Sequence, residues 1–326
     1  MIVSRTPLRI SFVGGGTDLP EFYTRELGCV LSAAVNKYVY VVAKPRFDDK
    51  IRISYSRTEI VDSVDDLEHD IMRECLRKTG IESGIEVCTM ADIPAEGSGL
   101  GSSSALTVGL LNAFYAYQGK FLSQLDLAAE ACDVEMEILG KRMGKQDQYG
   151  CAVGGVKFIW FFPSNKVEVH ALNVSDNQLS GLESELMLFF TGITRQASTI
   201  LNRQAENTIQ KMDVLRQMRD QARGLAYRDA IQHVPETVGC ALQTNWEMKK
   251  QLASGISTHK IDELYEKAMQ SGARGGKITG AGGGGFFLVS CPLEKQKAVR
   301  QSLGLQELPF VFDYHGTRII VGGENQ

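Results

Sequence analysis

From Pro94 to Ala105 the chain reads Pro-Ala-Glu-Gly-Ser-Gly-Leu-Gly-Ser-Ser-Ser-Ala, a glycine-rich loop that runs straight into an apolar segment. Without a Cβ, glycine lets the backbone curve into concave shapes and approach a ligand closely, so that successive N–H groups can point at one anion. The hydroxyls of Ser102, Ser103 and Ser104 fall where the next helix should begin. There, unpaired N–H groups and the positive end of the helix dipole favour negative charge. Gly97, Ser98, Gly99, Leu100, Gly101, Ser102, Ser103 and Ser104 are therefore the candidate phosphate-binding residues. Ala105 to Tyr117 is apolar almost all round, which predicts a helix buried inside a domain. A surface linker has no reason to anchor itself to a core helix. No Gly-Lys-Ser/Thr closes the loop, so the Walker A mechanism does not transfer to it.

The 326 residues suit one large domain or two lobes, and 43% hydrophobic content is ample for a well-buried core. A net charge of −4 with no long Lys/Arg run argues against a general nucleic-acid or membrane surface, so any anion site must be built locally. The cysteines at 29, 75, 88, 132, 151, 240 and 291 are scattered without a Cys-x-x-Cys pair. They read as reduced thiols of a cytoplasmic enzyme, not as a disulfide framework or zinc site. The N-terminus lacks a signal-peptide pattern, and no apolar run approaches the ~20 residues needed to span a bilayer.

Short apolar or alternating runs punctuated by Gly, Pro and Asp predict strands at Arg9 to Val13, Cys29 to Val35, Tyr38 to Lys44, Lys50 to Tyr55 and Ile85 to Ala91. A helix is expected near Asp66 to Lys78. Ser123 starts another with Ser-x-x-Asp capping spacing, and Gly140 is its predicted stop. Strands follow at Val156 to Phe162 and Glu185 to Phe190, then a long amphipathic helix from Gln196 to about Ala222 and more helix through about Gln270. The last elements are strand Gly285 to Ser290, helix Leu293 to Leu303, and strands Pro309 to Tyr314 and Arg318 to Val321. A polar cluster at 175–184 suggests a lobe boundary that divides the chain into 1–178 and 179–326.

Two further segments are unusually rich in glycine: Phe12-Val13-Gly14-Gly15-Gly16-Thr17-Asp18, and Lys277-Ile278-Thr279-Gly280-Ala281-Gly282-Gly283-Gly284-Gly285. Gly280 to Gly285 also fits the dinucleotide fingerprint Gly-x-Gly-x-x-Gly. That loop opens a helix, however, whereas Phe286-Phe287-Leu288-Val289 reads as a strand. In this order and at this spacing, the three segments resemble the signature motifs of the GHMP kinases, the superfamily of galactokinase, homoserine kinase, mevalonate kinase and phosphomevalonate kinase. The resemblance implies a two-lobed α/β (α+β) fold, with a ribosomal-protein-S5-like N-terminal lobe and a ferredoxin-like C-terminal lobe, and it implies ATP as co-substrate with Mg2+. Pro7-Leu8-Arg9-Ile10-Ser11-Phe12 before the first glycines, with Gly144-Lys145-Gln146-Asp147-Gln148-Tyr149-Gly150, is similar to the branch that phosphorylates D-glycero-D-manno-heptose 7-phosphate at its anomeric hydroxyl. Galactokinases carry Pro-Gly-Arg and Glu-His-Thr-Asp where this chain has Leu8 and Gly15-Gly16, which weighs against galactose.

The resemblance also assigns roles. The loop N–H groups would hold the β- and γ-phosphates, while Ser103 and Glu135 would bind magnesium, a hard ion that takes one or two carboxylates plus phosphate oxygens. Asp147 would accept the proton of the C1 hydroxyl, and Arg9 beside it would stabilise charge on the transferring group. Gly15, Gly16, Thr17 and Asp18, together with Gly282 and Gly283, would face the sugar. Helix counting at ~100° per residue supports Glu135 independently: Leu125, Ala128, Ala129, Cys132, Met136 and Leu139 form one stripe, acids flank it on one side, and Glu135 falls alone on the other. A 7-phosphate would need its own cation, for which Lys145 and Arg195 are the candidates. The implied partners are a sugar phosphate and ATP, and a homodimer is allowed for. Two alternatives are a fucose- or galactose-type sugar 1-kinase and a catalytically silent sugar and ATP sensor, the latter opposed by Ser103, Glu135, Arg9 and Asp147 occurring together.

Overall fold

Two long antiparallel strands, β1 (Ile2–Val13) and β2 (Gly28–Pro45), form the spine of an eight-stranded sheet in the computed structural model, which describes residues 1–93, 97–193, 197–227 and 233–322. The free edge of β2 is shared. Its second half pairs with β5 (Ile85–Ala91), beyond which lie β3 (Ile51–Ser54) and β4 (Thr58–Val61); its first half pairs with β6 (Val156–Phe161), followed by β7 (Val167–Ala171). A second, antiparallel sheet contains β8 (Leu186–Phe190), β9 (Gly275–Ile278), β10 (Phe286–Ser290) and β11 (Gln306–Glu307) in the order β11-β8-β10-β9. The last strand, β12 (Arg318–Val321), leaves that sheet and pairs with β1 of the first.

The first sheet carries α1 (Pro20–Tyr23), α2 (Asp70–Thr79), α3 (Ser102–Tyr117), α4 (Gln124–Cys132) and α5 (Gln146–Ala152). The apolar Ala105–Tyr117 run lies in α3, which packs across β1 and β2 as an all-round apolar helix must. The rest of the chain supplies α6 (Asp176–Glu185), α7 (Ala197–Asn207), α8 (Met212–Ala226), α9 (Val234–Lys249), α10 (His259–Gln270) and α11 (Gln296–Leu303), of which α9 and α10 pack on the second sheet and α8 on β1 and β2 of the first. One apolar cluster joins the two sheets: Leu8, Ile10 and Phe12 of β1 pack in the same core as Leu188, Leu242 and Leu288.

Several elements differ from the pattern-based expectation, each for a local reason. The two predicted strands at 29–44 are one strand with a bulge, because Pro7 faces Tyr38 while Leu8 faces Val35, leaving Asn36 and Lys37 unopposed. The long helix from Gln196 is interrupted by a 3₁₀ turn over Thr208–Lys211, where the Thr208 hydroxyl bonds back to Gln204 O at 2.9 Å and Asn207 reaches Leu252 O. Pro309 to Tyr314 is irregular apart from a single bridge between Phe312 and Val35, since the Phe312 N–H goes to Glu183 and Asp313 gathers the N–H groups of His315 and Gly316. The 175–184 stretch is the helix α6, closed by a capping box between Ser175 and Gln178. The helix begun at Ser123 gives way to a π-helical turn over Asp133–Ile138. Its buried face is Leu127, Ala128, Ala131, Cys132 and Val134, whereas Leu125 of the predicted stripe is 46% exposed.

Candidate active site

Three glycine segments from distant parts of the chain meet along one cleft of about 660 Å³. Gly101, with a φ of 78°, is the left-handed residue that turns the loop into α3. The third segment backs the loop so closely that side chains are excluded: a Cβ on Gly99 would stand 2.6 Å from Thr279 O, and one on Gly285 would stand 2.6 Å from Gly97 O. Thr279 Oγ1 donates to Ser98 O at 3.3 Å, and the Ser98 and Ser102 hydroxyls bond each other at 2.9 Å. Gly97, Ser98, Gly99, Gly101 and Ser102 to Ser104 line the cleft, whereas Leu100 is buried behind it and its carbonyl accepts from Arg9 N.

Arg9 reaches the cleft from β1 and Asp147 from the first turn of α5. Arg9 Nε and Nη2 both donate to Asp147 Oδ1, at 2.9 and 2.8 Å, while Nη1 donates to Gly99 O at 2.7 Å. Asp147 Oδ2 takes no bond from a described residue, and Asp147 lines the cleft. Burial alone would lower the pKa of the Arg9 guanidinium, which is 2% exposed, but the Asp147 carboxylate outweighs it and holds the group above its ordinary value.

Glu135 is fully buried, with one oxygen accepting from Ser103 Oγ at 2.6 Å and the other from Ser104 Oγ at 2.8 Å and Gln148 Nε2 at 2.7 Å. Burial pushes its carboxyl above the ordinary carboxylate value, against those hydrogen bonds and the nearby Lys141 charge. Glu135 lies in the π-helical turn, a distortion that recurs frequently at functional sites. Among the described residues no group of three or more His, Cys, Asp or Glu side chains could hold a metal, and the oxygens brought together here are the Glu135 carboxylate and the Ser103 and Ser104 hydroxyls.

The sequence profile for the N-terminal domain of GHMP kinases matches residues 67–155, and that for the C-terminal domain matches residues 227–307. D-glycero-alpha-D-manno-heptose 7-phosphate kinase of Campylobacter jejuni is 30% identical over 331 aligned positions, spanning 95% of this chain and 96% of the relative. This chain is a GHMP kinase. The bifunctional fucokinase/GDP-fucose pyrophosphorylase of Arabidopsis thaliana is 28% identical over 324 positions, covering 91% of the kinase but 30% of that longer protein. The crystal structure of a D-glycero-D-manno-heptose 1-phosphate kinase from Bacteroides thetaiotaomicron superposes with a TM-score of 0.79 over 98% of both chains, at 24% identity, and so shares the fold.

The kinase distributes the remaining predicted residues unevenly. Asp18 and Gly16 line the cleft; Asp18 accepts from Gly16 N at 2.8 Å and Gln146 N at 3.4 Å, and burial raises its carboxyl pKa. Gly144 is glycine because a Cβ would collide with the Asp18 carboxylate. Thr17 is buried and serves the backbone, donating to Gly14 O and accepting from Cys29 N. Gly282 and Gly283 pack against Ile256 and do not line the cleft, where Thr279, Gly280, Ala281 and Gly284 stand instead. Lys145 points away from it, bonding Asn165 and lying 4.9 Å over the Tyr23 ring. Arg195 lies outside the described residues. Lys141, Arg142, Gln146, Gln204 and Lys249 also line the cleft. The first three neighbour the Asp147 motif and could have been proposed from it; Gln204 and Lys249 carried no local signal. The described cysteines are all free, and no described helix is long and apolar enough to cross a membrane.

Proposed function

We propose that this kinase transfers the γ-phosphoryl group of ATP to the anomeric C1 hydroxyl of D-glycero-D-manno-heptose 7-phosphate, giving the 1,7-bisphosphate. The observation that carries the reading is the Arg9–Asp147 pair: the base is held through one oxygen and tied by the same guanidinium to the phosphate loop at Gly99. The loop N–H groups and the start of α3 hold the terminal phosphates. Asp147 Oδ2 takes the hydroxyl proton as the C1 oxygen attacks phosphorus and ADP departs. Three of the five Arg9 N–H groups are committed, and its charge, kept out of water, stabilises the transferring phosphoryl group. Ser103, which lines the cleft, donates at 2.6 Å to Oε1 of the buried Glu135 behind it, and the two are a hard-oxygen pair that fits magnesium. When bound, the ion neutralises charge on the β- and γ-phosphates.

For the acceptor's own phosphate, the cleft offers Lys141, Arg142 and Lys249. The C. jejuni relative, named for heptose 7-phosphate over nearly its full length, supports the substrate. The fucokinase relative supports the second reading, a kinase for the C1 position of another sugar. The test is ATP turnover across heptose 7-phosphate, the free heptose, fucose and galactose. Dependence on the 7-phosphate is expected; good turnover of a neutral hexose with none of any sugar phosphate overturns the substrate.

A further inference from the structure

The π-helical turn that carries Glu135 is an uncommon conformation, and its register decides where the carboxylate points. Leu139 N donates to Val134 O, five residues back, at 3.0 Å. Such a turn holds one residue more than an α turn. Relaxing it would swing its two sides about 100° relative to each other and carry Glu135 away from Ser103, to which it now bonds. The local sequence works against the turn. Glu130 near the end of α4 and Asp133 at the turn's first residue are three apart, so two carboxylates share one face, where like charges repel.

The opposing force comes from α2. Lys78, 18% exposed, donates to Asp133 Oδ2 and lies 3.0 Å from Glu130 Oε2, so one ammonium joins the end of α4 to the start of the turn. The same end of α2 is tied to α3, the helix that carries Ser103: Thr79 O accepts from Gln118 Nε2 at 2.7 Å, and Tyr115 Oη donates to Glu130 Oε2 at 3.3 Å. At the other end of α2, Asp70 lies 3.7 Å from Lys141, whose N–H donates to Glu135 O at 2.9 Å. α2 thus splints the turn at both ends against the helix that presents Ser103. Lys78 itself does not line the cleft. We propose that Lys78 is a positioning residue for the metal site: by clamping Glu130 and Asp133 it keeps the π-helical turn in the register that brings Glu135 to Ser103. The inference rests on the magnesium role proposed above for Ser103 and Glu135, and not on the identity of the sugar.

The experiment measures, by titration calorimetry on the full chain, the affinity for a non-hydrolysable ATP analogue with magnesium and with a chelator in its place. In wild type magnesium should tighten binding, and in Glu135→Gln that gain should be lost. Lys78→Met should shrink the gain about ten-fold while the metal-free affinity stays unchanged. Asp133→Asn should do the same, and the double variant should be no worse than either single one, because both remove one clamp. Lys78→Arg, which keeps a cation between the two carboxylates, should retain the gain. A lysine that serves stability alone would lower the Tm and leave the gain intact; that result, or an equal loss of metal-free affinity, overturns the proposal. Should Lys78→Met not fold, Asp133→Asn, at a side chain 45% exposed, decides. If Glu135→Gln keeps the gain, the magnesium reading falls and the clamp with it, whereas a gain lost in Glu135→Gln and kept in Lys78→Met removes the clamp alone.

Discussion

Arg9 spends three donors at once, two on Asp147 Oδ1 and one on Gly99 O, and so fixes the distance between the proposed proton acceptor and the glycine loop. In its proposed role as base, a carboxylate with one oxygen committed has its direction set before substrate arrives, which is how positioning lowers a barrier. Replacing Asp147 by Asn keeps the shape and removes the proton acceptor. We expect kcat to fall about 10²-fold or more while an ATP analogue binds with near-normal affinity in calorimetry; near-normal turnover would remove Asp147 from the role. Glu135 yields a pH dependence. Its folded-state pKa is raised, so the stability it contributes is present at low pH and is lost as pH rises through that value. In its proposed role Glu135 would hold magnesium in its ionised form, so the gain in Tm from magnesium and a non-hydrolysable ATP analogue should widen between weakly acidic and neutral pH. In Glu135→Gln the gain should be small and flat across the same range.

At the scale of elements, α5 is short for its task, with seven residues carrying the proposed base, the Gln148 that hydrogen-bonds Glu135, and the Gly150 against which Arg9 packs. Its far end is closed from β6 by Lys157, 1% exposed, whose ammonium donates to the carbonyls of Gly150, Val153 and Gly155. Gly155 O also accepts from Ala34 N, while the Gly150 and Val153 carbonyls lie at the end of the helix, where a cation is favoured. Burial pushes the Lys157 pKa down to about 7. An unfolded lysine titrates near ~10.4, so between these values the unfolded chain binds more protons and stability should rise with pH. Urea melts at pH 7 and 9 should show that rise in wild type. Lys157→Met should abolish it and lower kcat more than it changes either KM, because α5 loses its anchor and not its cleft surface. A rise that persists in the variant would place the titration elsewhere.

Across the whole molecule, the chain crosses between its two sheets more than once. β12 returns from the C-terminal half to pair with β1, α8 packs on β2, and α9 packs on both β9 and β1. Lys277 at the end of β9 donates to Phe12 O at 3.0 Å, holding the strand that leads into the first glycine segment. A fragment of residues 1–178 would expose the shared face of Leu8, Ile10 and Phe12 and lose the β12 edge. It should therefore aggregate or show no cooperative melt, whereas the full chain unfolds cooperatively; a well-folded fragment by circular dichroism and proteolysis would contradict this. The cleft residues legible in the sequence were those with local chemical necessity: glycines where the backbone bends or approaches closely, serines at a helix start, an acid and an arginine in recognisable motifs. Lys145 lies next to Asp147 in the chain, but adjacency says nothing about direction, and at the start of α5 its side chain turns to Tyr23 and Asn165. Gln204 and Lys249 were illegible because only the packing of α7 and α9 brings them to the cleft. The π-helical turn was equally hidden, since periodicity assumes a constant twist and the burial of Glu135 depends on breaking it. Sequence alone thus determined the glycine loop, its core helix and the kinase family, because those rest on backbone conformation and local pattern. Which polar groups face one another across the cleft was decided by tertiary packing, because a side chain's direction depends on neighbours hundreds of residues away.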